Sequence, residues 1–320
     1  MADDRTYVRL TLEVGEDDHG RTLREVLRRR LGVSRRLLVK LKAEEMGIVR
    51  NGRRAWVSET VSAGDRIELR LPREQSEDIL PQPMDLSIVF EDEHLLVVNK
   101  PPGLIVHPTL GHYAGTLANG VVHYWRERGE IAKFHPVHRL DEHTSGLVVV
   151  AKHAYAHQQL AEQMARGEFD KRYLAYVYGC PPQLSGTVDA PIGRSDAEPH
   201  RRVVRPDGAP SVTHYEVNEV FPCGATKLNI RLETGRTHQI RVHMLHIGCP
   251  LIGDDLYAGP DPQPAELARK IGNVIQRQAL HASRLVFRHP VKDERLALEA
   301  ELPEDLRELE GVLRSWQKEN

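Results

Sequence analysis

The sequence predicts an α+β protein with mixed or antiparallel sheets flanked by helices and loops, plus a small helical and hairpin module at its N-terminal end. Three observations lead there. Short β-branched runs dominate after residue 85, and helices interrupt them without a βαβ rhythm. Two amphipathic segments followed by an Asn-Gly turn occupy residues 22–57. The 320 residues, 40% apolar and 28% charged, suit about two soluble domains with real cores.

In the first module, Leu23, Val26, Leu27 and Leu31 recur at helical spacing with arginines on the other face, and Gly32 stops the helix. Ser34 is an N-cap for a second helix from Arg35 to Met46, with Leu37, Leu38 and Leu41 as its apolar stripe. Asn51-Gly52 between short runs predicts a hairpin, and Arg66 to Leu71 alternates as a half-buried strand. Residues 20–54 hold twelve Lys/Arg against three Asp/Glu, a net of +9 inside a chain whose overall formal charge is −2. Such clustering is an electrostatic footprint for phosphate, against the plainer reading of a solvated basic face. The module resembles the ribosomal-protein S-four-like RNA-binding domain over about residues 18 to 72, through its "SRR", "VRNG" and "VSAGDRIEL" segments. The resemblance implies salt-sensitive RNA binding, with Arg35, Arg36, Lys40, Lys42 and Arg53 as contacts. The expected boundaries are a module at 1–76, a polar, proline-containing linker at 77–84, and a second domain at 85–320.

The second domain opens on a hairpin from Leu86–Phe90 and Leu95–Lys100, followed by the stiff loop Lys100-Pro101-Pro102-Gly103. A helix is expected near 117–126, a polar loop at 136–146, and a buried strand at 147–151. A helix near 154–166 and a tyrosine-rich strand at 171–179 come next. A further strand at 227–232 leads through Gly235 into another helix. The stretch from Asp255 to Gln276, rich in Pro and Ala and then helical, reads as a surface insertion.

Here the chain is similar to a known family. "KPPGLIVHP" (100–108), "HRLDEHTSG" (138–146), "KRYLAYVYG" (171–179), "TGRTHQIRVHM" (234–244) and "LHASRL" (280–285) look like the motifs of the RluA-type pseudouridine synthases, in order, across most of residues 84 to 302. An S-four-like module in front is the arrangement of the family's large-subunit ribosomal RNA members. The resemblance implies isomerisation of uridine to pseudouridine in RNA, without cofactor or metal. A carboxylate suits that reaction as nucleophile or as base, as carboxylates serve glycosidases. By resemblance that carboxylate is Asp141, Arg236 pairs with it, and Tyr173 stacks on the flipped base. The bland alternatives are a turn aspartate, a structural ion pair and a core tyrosine. Arg139, next to Leu140, is associated with the space the base vacates, and His138 and Leu140 complete the RNA-facing motif. Lys100, Arg172, Arg231 and Arg241 are candidate phosphate contacts.

Several classes find no support. There is no H-E-x-x-H, no P-loop and no G-x-G-x-x-G, despite seventeen histidines, among them clusters at His238/His243/His246 and His135/His138/His143. Cys180, Cys223 and Cys249 form no C-x-x-C and no disulfide framework. The sequence has no run of about 18 apolar residues and no secretory signal, so a cytoplasmic monomer without membrane contact is expected. The competing class is a non-catalytic RNA- or ribosome-binding protein that retains the fold. A transfer-RNA substrate is the alternative within the enzyme class.

Overall fold

The computed structural model describes residues 6–259, 265–292 and 294–316. The first unit contains β1 (Tyr7–Glu13), α1 (Leu23–Leu31), α2 (Arg35–Ala43), β2 (Ile48–Arg50), β3 (Arg53–Arg54) and β4 (Arg66–Pro72), with sheet order β1-β4-β2-β3. Thr22 and Glu25 form a capping box at the start of α1, and left-handed Gly32 closes it. Ser34 caps α2 by accepting from the Leu37 amide. Asn51 and Gly52 both have positive φ, 50° and 81°, which is the turn that a right-twisted hairpin selects. Leu23, Val26, Leu27, Leu37, Leu38 and Leu41 pack on Ile67 and Leu69. β1, which lies before the expected module core, supplies Val8 and Leu10 to the same cluster.

The second unit contains β5 (Ile88–Glu91), β6 (Leu95–Lys100), α3 (Leu117–Glu127), β7 (His135–Pro136), β8 (Ser145–Ala151), α4 (Ala154–Ala165) and β9 (Asp170–Val177). It continues through β10 (Ser185–Asp189), β11 (Ile192–Arg194), β12 (Arg202–Val204), β13 (Val212–Val220), β14 (Thr226–Leu232) and α5 (Gln239–His246). Then come α6 (Ala265–Gly272), β15 (Leu280–Arg288), β16 (Arg295–Glu299) and α7 (Glu304–Arg314). A ten-stranded sheet runs β10-β13-β14-β9-β15-β8-β6-β5, with β16 beside β15 and β7 beside β8. β15 and β8 are parallel and the other neighbours antiparallel, so the sheet is mixed as the sequence predicts. The strands β10 to β13, β15 and β16, and helix α7, are additions to the elements read from sequence.

Alternation sorts the buried side chains. Val148, Val150, Tyr173 and Ala175 face α3 and α5, while Leu147 and Val149 face α4. Tyr176 joins a third cluster under α6 and α7. β8 is buried at all seven positions, which is why its sequence is one apolar run. Burial of each such Val or Leu is worth about 1.5–3 kcal/mol, so β8 is a rigid support for the loop that precedes it. Gly146 (φ 116°) lies at the β8–β15 crossing, where an added Cβ would sit 2.2 Å from the Ala282 carbonyl. No other residue type permits that approach.

The two units are joined. The α1 C-terminal carbonyls of Leu31 and Gly32 accept hydrogen bonds from Tyr155 and Gln158 of α4, at 2.8 and 2.6 Å. Tyr155 also belongs to the first unit's core. The 77–84 stretch, expected as a linker, runs against the second core: Ile79 is buried, and the Leu80 carbonyl accepts from Asn119. Of the 255–276 stretch, residues 260–264 lie outside the described residues. Among the described residues, no helix is long and apolar enough to cross a membrane.

Candidate active site

The loop before β8, the face of β9 and the loop before α5 enclose a cleft of about 530 Å³. Of the residues singled out from sequence in the second domain, His138, Arg139, Leu140, Asp141, Tyr173, Arg236 and Arg241 all line it.

Asp141 sits partly exposed where the loop turns into β8. The expected partner, Arg236, is not the cation in ion-pair range. Arg241 fills that position, with Nη1 3.7 Å from the Asp141 carboxylate. Arg236 is exposed, and its Nε donates to the Pro210 carbonyl at 3.2 Å. The physical reason lies between them. His238 adopts a left-handed conformation (φ 58°, ψ 20°) and caps α5, which turns the chain so that Arg241 points inward. Gln239 fixes this turn by bonding the Arg236 amide, the Val212 carbonyl and the Thr213 hydroxyl. Arg241 is itself buried, contrary to its expected role as a phosphate contact, and grips Asp254 through Nε and Nη2 at 2.7 Å each. Burial disfavours its charge, but the Asp254 hydrogen bonds and the Asp141 field outweigh that and hold its pKa above the usual value.

Tyr257 lies beneath this arginine, whose Cζ is 4.7 Å from the ring centroid. Its hydroxyl accepts from the Arg202 amide and shares a hydrogen bond with His238 Nδ1, both at 2.8 Å. Burial holds His238 below its ordinary pKa. Asp254 and Tyr257 escaped the sequence reading because they occupy a short irregular turn without periodicity.

Tyr173 is buried, with burial and the Asp141 charge pushing its phenol up, so the ring is a neutral, flat wall of the cleft. His138 is neutral too: its Nε2 accepts from the Val149 amide and burial pulls its pKa down to about 3. Leu140 is buried and Arg139 exposed at the same wall. Lys100 corrects another expectation. It is fully buried and donates to the Pro101 and Glu142 carbonyls, both at 2.9 Å, so it straps two loops together instead of meeting phosphate. Burial first, and then Arg277, pulls its pKa to about 7. Arg172 and Arg231 stand opposite each other in register and exposed, on the strand face away from Tyr173, beside Asp170 and Glu233.

Comparison with known proteins gives this geometry its context. Residues 94–246 match the sequence profile of RNA pseudouridylate synthases. The chain is 41% identical to an uncharacterised RNA pseudouridine synthase, YjbO of Bacillus subtilis, over 87% of this chain and 95% of that protein. The chain belongs to the RNA pseudouridine synthase family. It is also 37% identical to ribosomal large subunit pseudouridine synthase D of Escherichia coli K12, over 96% of this chain and 95% of that protein. A solved structure of human RNA pseudouridylate synthase domain containing 4 superposes with a TM-score of 0.58 at 26% identity, covering 71% of this chain and 93% of that one. As an RNA pseudouridine synthase, the protein is an isomerase that exchanges a carbon–nitrogen glycosidic bond for a carbon–carbon one. Two histidines of the clusters that invite a metal reading are engaged otherwise: His243 bonds Thr213 and the Ala190 carbonyl, and His238 bonds Tyr257.

In the first unit, Arg35, Arg36, Lys42 and Arg53 are exposed. Lys40 is committed to Glu74 at 2.6 Å, and Glu74 also binds Lys133. Buried Asp18 draws in Arg29 and Arg30. A signal the sequence reading passed over is Trp56, 56% exposed, with the Arg54 guanidinium 4.6 Å from its ring centroid.

Proposed function

We propose that this synthase modifies uridines in large-subunit ribosomal RNA, with Asp141 as its catalytic carboxylate. One observation carries the assignment of the residue: Asp141 heads the rigid strand β8 inside the cleft, beside Arg241 and across from the Tyr173 ring. The nearly full-length similarity to ribosomal large subunit synthase D supports the RNA class. In this reading the target base is swung from its helix and stacked on Tyr173, with stacking worth about 1–3 kcal/mol offsetting the cost of unstacking. Arg241 keeps the Asp141 carboxylate ionised and directed at the sugar, and Arg139 stands at the rim where the RNA helix loses its base. Asp141 then acts at C1′, or on the base or a sugar proton, while the C1′–N1 bond breaks. The base rotates and rejoins through C5. Arg35, Arg36, Lys42 and Arg53 of the N-terminal, S-four-like module hold RNA phosphates outside the cleft. The protein works as a cytoplasmic monomer.

The test is incubation of the purified protein, with nothing added, with unmodified ribosomal and transfer RNA transcripts, and nucleoside chromatography with site mapping. Pseudouridine in large-subunit RNA with wild type, and none with Asp141→Asn at unchanged RNA affinity, is the expected result. Modification of transfer RNA alone overturns the substrate, and retained activity in Asp141→Asn overturns the residue. Tight, salt-sensitive binding with no product on any RNA returns the non-catalytic reading.

A further inference from the structure

Lys171 is the only lysine among the described residues of the cleft, and the structure gives its ammonium no acceptor. The residue is 6% exposed, and no hydrogen bond or ion pair to its Nζ exists among the described residues. Burial alone pulls its pKa down, with no carboxylate to oppose it. Lys100 makes the contrast: it is fully buried, and its ammonium bonds two carbonyls. A largely desolvated ammonium facing the cleft without an acceptor costs free energy that no contact among the described residues returns. An apolar side chain would pack β9 against its neighbours at lower cost.

Its placement says what it waits for. Lys171 and Tyr173 are two residues apart on β9, hence on one face and roughly 7 Å apart along the strand. Its Nζ lies against the turn before α5, where a Cβ on Gly235 would be 3.6 Å away, and glycine leaves that side open. The neighbouring His138 is neutral and does not compete for an anion.

The family reaction produces a transient anion in this cleft. When C1′–N1 breaks, its electron pair leaves with the base, and the charge spreads over N1, O2 and O4 of uracil. The sugar carbon is met by the Asp141 carboxylate, or by loss of a sugar proton to it. After rotation, C5 bonds C1′ as the Asp141–C1′ bond breaks, or as the abstracted sugar proton returns; the C5 proton is then lost and N1 takes one up, so atoms and electrons balance. We propose that the Lys171 ammonium binds a carbonyl oxygen of the detached uracil and holds its negative charge while the base turns over beside Tyr173. A neutral uridine gains little from that contact and the anion gains much, so the residue acts on rate rather than affinity. The proposal rests on the family reaction and adds a catalytic residue to it.

Single-turnover isomerisation, RNA affinity and thermal melting of Lys171→Met and Lys171→Arg, on an RNA that wild type modifies, test it. Lys171→Met is expected to be at least a hundredfold slower, with Kd within threefold and Tm equal to or above wild type, and Lys171→Arg to recover at least tenfold. On RNA carrying 5-fluorouridine, whose base is a more stable anion, the Met penalty on loss of the parent nucleoside should shrink at least tenfold. A Met variant within threefold of wild-type rate overturns the proposal, as does one that unfolds or melts more than 5 °C lower, which makes Lys171 structural. A wild type that makes no pseudouridine on any RNA removes the reaction itself, and the proposal with it.

Discussion

Arg241 reaches Asp141 with one nitrogen at 3.7 Å and holds Asp254 with two at 2.7 Å. The tighter grip is on the more deeply buried of the two carboxylates. Asp254, with its side chain 1% exposed, anchors the guanidinium plane, and the remaining nitrogen orients Asp141 without locking it. Removing the arginine would strand Asp254 as a buried charge. Arg241→Met should therefore lose about 3–5 kcal/mol of stability in urea unfolding and nearly all activity. Asp254→Asn should slow isomerisation ten- to a hundredfold at unchanged RNA affinity. Arg236→Met, at an exposed position, should stay within about 0.5 kcal/mol of wild type. Equal destabilisation by the two arginine substitutions would reject this division of labour.

A second outcome follows from the Lys100 strap. Its two hydrogen bonds join the proline-rich loop to the Glu142 carbonyl, one residue beyond Asp141. Lys100→Met should slow single-turnover isomerisation tenfold or more while leaving RNA affinity and its salt dependence within twofold. A weakened Kd with a reduced salt slope would restore the phosphate role that the sequence suggested.

Why the sequence placed Arg236, Arg241 and Lys100 otherwise than the structure does, yet located the cleft, is physical. Tyr173 lies on β9 and Asp141 four residues before β8, strands whose apolar runs and alternation are plain in sequence, so their motifs could be set against rigid elements. Arg236 and Arg241 flank a single left-handed residue, His238, and no periodicity reports which way such a kink sends the chain. Lys100 precedes two prolines, the signature of an exposed loop, but its side chain folds back onto the Pro101 and Glu142 carbonyls, the second of which also accepts from the Gly103 amide. β15 escaped notice because His281, Ser283 and Arg284 interrupt its apolar pattern. One of these polar groups braces the site: His281 bonds Ser145, at the start of β8, at 3.0 Å.

The first unit carries a prediction about salt. Deleting it would expose Tyr155 and the α4 surface that caps α1, so charge removal is the cleaner test. Neutralising Arg35, Arg36, Lys42 and Arg53 to Gln should weaken RNA binding and reduce the slope of log K against log salt by about 0.7–0.9 for each phosphate set free. Lys40→Gln should change that slope little, because Glu74 already neutralises it. Unchanged slopes in the fourfold variant would remove the module from the RNA path.

Acid should loosen the protein through a histidine relay between the two cores. His153 Nδ1 accepts from the Ala156 amide at the start of α4, so its proton sits on Nε2 and is donated to His94 Nδ1 at 3.0 Å. Burial holds the pKa of His153 down at about 3 and lowers that of His94 as well. A depressed folded-state pKa means that the unfolded chain binds more protons between about pH 3 and the ordinary value near 6.5. Stability is then complete above pH 6.5 and falls as the solution is acidified, by up to roughly 2 kcal/mol at pH 5 for one such histidine. His135, His138 and His281, also held low by burial, act in the same direction. His153→Asn keeps an N-cap acceptor but removes one titrating ring. Urea unfolding at pH 7 and pH 5 should show the wild type losing about 2 kcal/mol more than this variant between the two. Parallel losses would place the acid sensitivity elsewhere.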